Sequence, residues 1–193
     1  MKNVIFYLTI FSYCFFWTIS SEAQTYDFES LSSGASGSLS NGWICTPSLA
    51  TQYRWEVGNG QSSGTSTGPS AAYSGANYMF IASINAPGPA TTNTATLESP
   101  SQDLTSFTNP GFGFWYYGNG ASYYDVIVEV NTGGATWTPI DTIHLPSHIN
   151  RNQRWKYKRL DLSNYNTANT KVRFSADSYQ TARGDFAIDK CTF

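Results

Sequence analysis

Tyr124-Asp125-Val126-Ile127-Val128-Glu129-Val130, then Asn131-Thr132-Gly133-Gly134, then Trp137-Thr138-Pro139-Ile140-Asp141-Thr142-Ile143: this stretch decides the fold. In an extended chain Tyr124, Val126, Val128 and Val130 share one face while Asp125 and Glu129 take the other, the period of two of a half-buried strand. The Asn/Gly quartet reverses the chain and a second β-prone run returns, so the segment reads as a hairpin. Working outward, further strands are expected over 78–82, 112–117, 155–162, 171–176 and 185–193, with Gly118-Asn119-Gly120 as one of the intervening turns. No segment carries a convincing helical period. Short strands at this spacing with Gly-rich turns predict an all-β sandwich of two antiparallel sheets, with the Ser/Gly-rich 30–41 as a loop.

The N-terminus points to export. Lys2 precedes an apolar run from Val4 to Ile19, and Ser21 and Ala23 are small residues at the minus-three and minus-one positions of a cut before Gln24. We read 1–23 as a signal peptide rather than a membrane anchor, because the run is at the short end of what spans a bilayer and is followed at once by this cleavage pattern. The remaining 24–193 suits a single domain. Only 12% of residues are charged while 16% are aromatic, and the formal net charge is −2. Nucleic-acid binding needs a basic stripe that this balance does not provide.

Blocks along the chain resemble the MAM domain family. In order, they are Tyr26-Asp27-Phe28-Glu29, Gly42-Trp43, Tyr53-Arg54-Trp55, Gly68-Pro69-Ser70, Gly75-Ala76-Asn77-Tyr78-Met79-Phe80-Ile81, Thr96-Leu97-Glu98-Ser99-Pro100, Phe114-Trp115-Tyr116-Tyr117, Trp155 and the closing Gly184-Asp185-Phe186-Ala187-Ile188-Asp189. The match is similar in kind to bacterial cleaved-adhesin-like modules. The resemblance implies a jelly-roll β-sandwich and a secreted, non-catalytic adhesion or protein-interaction module of the extracellular space or cell surface. Its partner would be an extracellular protein or, on the alternative reading of a carbohydrate-binding module, a glycan.

No obligatory cofactor is implied. Related modules hold a structural cation between first and last strands, which here makes Asp27, Glu29 and Asp189 candidate oxygen donors for calcium or sodium. Two cysteines follow the leader, Cys45 and Cys191. In an oxidising compartment they form either one disulfide, favoured because jelly rolls bring first and last strands side by side, or two buried thiols. Arg183-Gly184-Asp185 spells an integrin-recognition tripeptide, but Gly184 and Asp185 already belong to the closing family signature.

Asp125 and Glu129 lie four residues apart on a strand, about 13 Å at ~3.3 Å per residue, too far for a glycosidase pair. His144 and His148 flank Pro146 without a metal-site acid or a Ser nucleophile motif. We therefore expect no enzyme. Binding candidates are Tyr117 and Tyr123, at the ends of a predicted turn and suited to stacking on sugars or anchoring an interface. Arg154, Lys156 and Lys158 form a basic row on one strand face, suited to an acidic partner or to a solvated edge.

Overall fold

The structure, a computed structural model, describes residues 23–49, 53–62, 67–82, 93–120, 125–146, 153–178 and 184–193. Residues 1–22 of the leader, Tyr123, Tyr124, His148 and Arg183 lie outside the described residues. Eleven strands are present: β1 (Thr25–Tyr26), β2 (Ile44–Thr46), β3 (Glu56–Asn59), β4 (Asn77–Ala82), β5 (Asn93–Glu98), β6 (Gly111–Gly120), β7 (Asp125–Asn131), β8 (Thr138–His144), β9 (Lys156–Asp161), β10 (Lys171–Ser178) and β11 (Gly184–Thr192). A single 3-10 turn at Ser163–Tyr165 is the one helical element among the described residues.

The strands form two antiparallel sheets in a jelly roll. One runs β3-β4-β11-β6-β9 with β1 added beside the end of β11; the other runs β2-β5-β10-β7-β8. We call them the six-stranded and five-stranded sheets. Alternation sets the core: Met79, Ile81, Phe112, Phe114, Phe186 and Ile188 point inward from the first, and Leu97, Val126, Val128, Val130, Val172 and Phe174 from the second. Trp55 plugs the centre, edge-on to Phe186 at 5.9 Å, and its indole N–H donates to the Ala95 carbonyl at 3.3 Å.

The expected hairpin is β7 and β8, paired from Asp125 with His144 to Val130 with Thr138, with an irregularity at Val128/Glu129. Two expectations need correction. Gly118-Asn119-Gly120 is not a turn, because β6 continues through it and pairs with Gly184, Asp185 and Phe186 of β11. A side chain at Gly118 would drive into Leu145, so this glycine serves close packing. The Cys45–Cys191 disulfide is also absent: both cysteines are free and buried. The first strand does lie beside the last, with Tyr26 opposite Cys191, but Cys45 sits on the second strand, opposite Leu97 in the other sheet. Burial pushes the Cys45 thiol up to about 11 and raises Cys191 well above its ordinary value, so both stay protonated and inert.

β4 is buried on both faces, which explains its unbroken apolar sequence. Its outward residues Tyr78, Phe80 and Ala82 form a second, smaller cluster with Ala187 of β11. The β3–β4 connection covers that cluster: Ala72 packs on it, and the Trp155 indole N–H donates to the Ala71 carbonyl at 3.2 Å. Part of the outer face of the six-stranded sheet is thus roofed by a loop, and part is not.

Candidate functional site

The unroofed part is an aromatic face built by strand alternation on β6 and β9. Phe112 and Phe114 point into the core, so Gly111, Gly113, Trp115 and Tyr117 take the outer face. On β9, Tyr157 stands opposite Trp115, and Lys158 and Lys156 stand opposite Phe114 and Tyr116. Trp155, Tyr157 and Arg159 therefore share the outer face with Trp115, while the lysines fall on the alternate side.

Rings run in contact along this face. Tyr73, from the β3–β4 loop, stacks on Trp115 at 3.7 Å and 12°, Trp115 meets Tyr157 at 5.5 Å, and Tyr73 meets Trp155 at 6.4 Å. Tyr157 is 55% exposed and Tyr73 39%, high values for large rings. The two glycines shape the surface. The Tyr157 hydroxyl end occupies the space a Cβ on Gly113 would take, and the Arg159 guanidinium occupies the space above Gly111. Both planar groups lie down on the strand because β6 offers them no side chains there.

The Tyr73 loop is held by carboxylates. Glu29 accepts the amides of Ala76 and Asn77 at 3.0 and 2.9 Å, and Asp189 accepts the Ser74 amide at 3.0 Å and the Lys190 amide at 2.7 Å. Gly75 adopts φ +72°, and a Cβ there would strike the Glu29 carboxylate, so glycine is needed for both the turn and the approach. Asp189 is fully buried, and burial raises its carboxyl to about 6, with the nearby Glu29 charge pushing the same way against the amide donors.

This corner is where the cation was expected. Asp27 accepts the Glu29 amide at 3.3 Å, so all three carboxylates bind backbone N–H groups. Among the described residues no three His, Cys, Asp or Glu side chains converge as a metal site. Asp27, Glu29 and Asp189 are therefore not brought together as a three-donor set, and the donors the structure shows here clamp the loop.

The other sequence candidates fare unevenly. Tyr117 lies on the aromatic face but is half-buried and packs edge-on against Trp155 at 5.9 Å, so it is a flank rather than an exposed anchor. Tyr123 lies outside the described residues. The basic row is not one free surface: Lys158 reaches across the sandwich edge to Asp141 of β8 at 2.5 Å. Arg154 and Lys156 are exposed and form no ion pair with a described residue. Asp185 is buried and accepts from the Ser62 hydroxyl at 2.7 Å, so the tripeptide's acid is not displayed. His144 bonds Asp125 at 2.8 Å in an exposed pair. Trp115, Tyr157, Arg159 and Tyr73 are not among the binding candidates that the sequence singles out. The signal for the first three was the pairing of Gly111-x-Gly113 with Tyr157-x-Arg159, which needs the strand register to be seen.

The MAM domain family model (meprin/A5/mu) matches residues 27–193. Among solved structures, the chain is similar to the K1 cleaved adhesin domain of Lys-gingipain from Porphyromonas gingivalis, with 17% identity and TM-score 0.57, covering 89% of this chain and 97% of that one. A cyclase from Fischerella sp. TAU shares 15% identity at TM-score 0.53, covering 89% and 97%. CBM27-1 of Caldicellulosiruptor saccharolyticus, solved with mannohexaose, shares 13% identity at TM-score 0.50, covering 90% and 97%. A comparison with curated proteins found no match. At these identities the structures speak for the jelly-roll fold alone, whereas the family match runs across the sandwich from the residue after β1 to the last residue of the chain: this protein belongs to the MAM domain family.

Proposed function

We propose that this chain is a secreted, non-catalytic recognition module of the cell surface or extracellular space, and that it binds its partner with the aromatic outer face of the six-stranded sheet. The observation that carries this is the contact row of Tyr73, Trp115 and Tyr157, whose two outer rings are exposed and whose middle ring is half-buried between them. Tyr, Trp and Arg are the side chains that dominate recognition surfaces, since they bring large rigid area with few rotatable bonds. Folding alone gives no reason to leave Tyr157 in water over a glycine. The family's association with adhesion and receptor proteins supports the same reading, and the leader-like 1–23 supports export.

A catalytic role finds less support. The His144–Asp125 pair is solvent-exposed, with side chains 76% and 49% accessible, so water screens it and no cleft encloses it for chemistry. The decisive experiment exposes glycan and extracellular-protein arrays to the chain and to Tyr157→Ala, Trp115→Ala and, on the opposite sheet, Lys171→Ala. The expected result is saturable binding retained by Lys171→Ala and lost by the two aromatic variants. Binding that survives both aromatic truncations overturns the assignment.

A further inference from the structure

We infer that the outer face of β6 and β9 binds an uncharged polysaccharide, with sugar rings lying on Tyr157 and Tyr73 and sugar hydroxyls bridging Arg159 and Asp161; this rests on the recognition role just assigned to the face. Three features select that chemistry.

The first is planarity. Where the two strands pair, the outward positions are Gly111, Gly113 and Trp115 on β6 and Asp161, Arg159 and Tyr157 opposite them on β9, with no Leu, Ile, Val or Met among them. The two glycines leave room for the Tyr157 ring and the Arg159 guanidinium to lie down. Tyr73 covers the Trp115 ring at 3.7 Å and is itself exposed. Pyranose rings carry flat C–H faces that pack on such planes, and their hydroxyl edges remain free to meet polar side chains and water.

The second is charge balance. Arg159 and Asp161 are neighbours on this face, one cation beside one anion. Hydrogen bonds from the Ser163 hydroxyl and amide, and then the Arg159 charge, hold the Asp161 carboxyl below its ordinary value. The remaining basic residues of the segment leave the balance intact: Lys156 and Lys158 take the alternate side of β9, Lys158 pairs with Asp141, and Arg154 precedes the strand. A carboxylated or sulfated polymer would lose to Asp161 what it gained from Arg159, so the face suits a ligand without charge.

The third is unused hydrogen-bonding capacity. The Ser163 amide and hydroxyl, at 2.8 and 2.6 Å, both go to Oδ1 of Asp161, and Oδ2 accepts no hydrogen bond among the described residues. Arg159 gives one N–H to the Asn109 carbonyl at 3.0 Å, and its other N–H groups find no acceptor among the described residues. Open donors beside an open acceptor match adjacent sugar hydroxyls, each of which donates and accepts. A dry protein interface would have to desolvate both charges, at a cost that often exceeds their attraction, whereas a hydroxyl-rich ligand replaces their water. Tyr157 and Asp161 stand four residues apart on an extended strand, about 13 Å at ~3.3 Å per residue, so the site takes a linear oligomer rather than one sugar.

The test is calorimetric titration of the chain with neutral cellohexaose, xylohexaose and mannohexaose and with acidic hexagalacturonate, at low and high salt. Binding of a neutral oligomer is expected, with an affinity that salt changes by no more than about twofold. Asp161→Asn keeps an acceptor for Ser163, removes the one offered to the sugar and uncovers the Arg159 charge. It should weaken the neutral oligomer about tenfold, as for a charged hydrogen bond, and let hexagalacturonate bind. Gly113→Ala, which displaces Tyr157 without removing it, should weaken binding while the melting temperature holds. Hexagalacturonate binding the parent as tightly as the neutral oligomers overturns the uncharged assignment, and an Asp161→Asn variant that binds like the parent overturns the hydroxyl bridge. Failure of all four saccharides, alongside Tyr157-dependent attachment to arrayed proteins, overturns the glycan assignment while leaving the recognition face standing. Absence of any Tyr157-dependent binding removes both.

Discussion

The two outer faces of this sandwich solve the same problem in opposite ways. On the five-stranded sheet the charges neutralise each other: Glu129 takes Arg173 at 2.5 and 3.0 Å, Glu98 takes Lys171 at 2.7 Å, Asp177 accepts from Thr94 at 2.6 Å, and the Arg173 guanidinium also lies 4.4 Å from the Trp137 ring centroid. The six-stranded sheet shows rings instead: Tyr78 and Phe80 lie buried beneath the Tyr73 loop, Trp115 and Tyr117 are half-buried, and Tyr73 and Tyr157 stand in water. A face whose polar groups are already satisfied has little to offer a partner; a face of exposed rings does.

The contrast can be broken or sharpened by substitution. The largest effect is expected at Phe80, which is on an outer face yet buried: Phe80→Ala should cost about 3–4 kcal/mol in denaturant unfolding, because the roof makes this a core site. Arg173→Ala comes next. It strands the nearly buried Glu129 carboxylate and should cost about 2–3 kcal/mol, most of it recovered when Glu129→Gln is added. Tyr157→Ala should change stability by about 0.5 kcal/mol or less while removing binding, the separation that marks a surface kept for recognition.

pH dependence follows from the buried corner. The Asp189 carboxyl is raised to about 6 from an ordinary 3.8, so between those values the folded chain holds the proton that the unfolded chain has released. Its contribution therefore makes stability fall as pH rises from about 4 to about 6, by up to ~1.4 kcal/mol per pH unit, and the loss is complete above that window. Thermal melts of the parent and Asp189→Asn across this range should show a slope in the parent that the variant lacks.

Much of the fold was legible because strand alternation and turn chemistry are local. The hairpin of β7 and β8 was readable from Val126, Val128 and Val130 and the Gly133-containing turn. The apolar run at 78–82 announced a strand, whereas the loop that covers its outer face is seen only in the structure. What failed depended on register. Gly118 reads locally as a turn residue but packs beneath Leu145, and Cys45 was placed beside the last strand although it belongs to the opposite sheet. Lys156 and Lys158 share one side of β9, with Arg154 just before the strand, and that Asp141 claims Lys158 across the sandwich edge is visible only with the partner strands in place. Tyr73 was beyond reach for the same reason: its position over Trp115 is set by Glu29 and Asp189, residues 44 and 116 positions away in the chain.

Amide chemical-shift mapping during titration with the saccharide or protein captured on the arrays tests the central claim most directly. The account predicts a contiguous footprint over Tyr73, Trp115, Tyr157 and Arg159, saturating with one affinity and vanishing in Tyr157→Ala. A footprint centred on Glu129, Trp137 and Arg173 would contradict it.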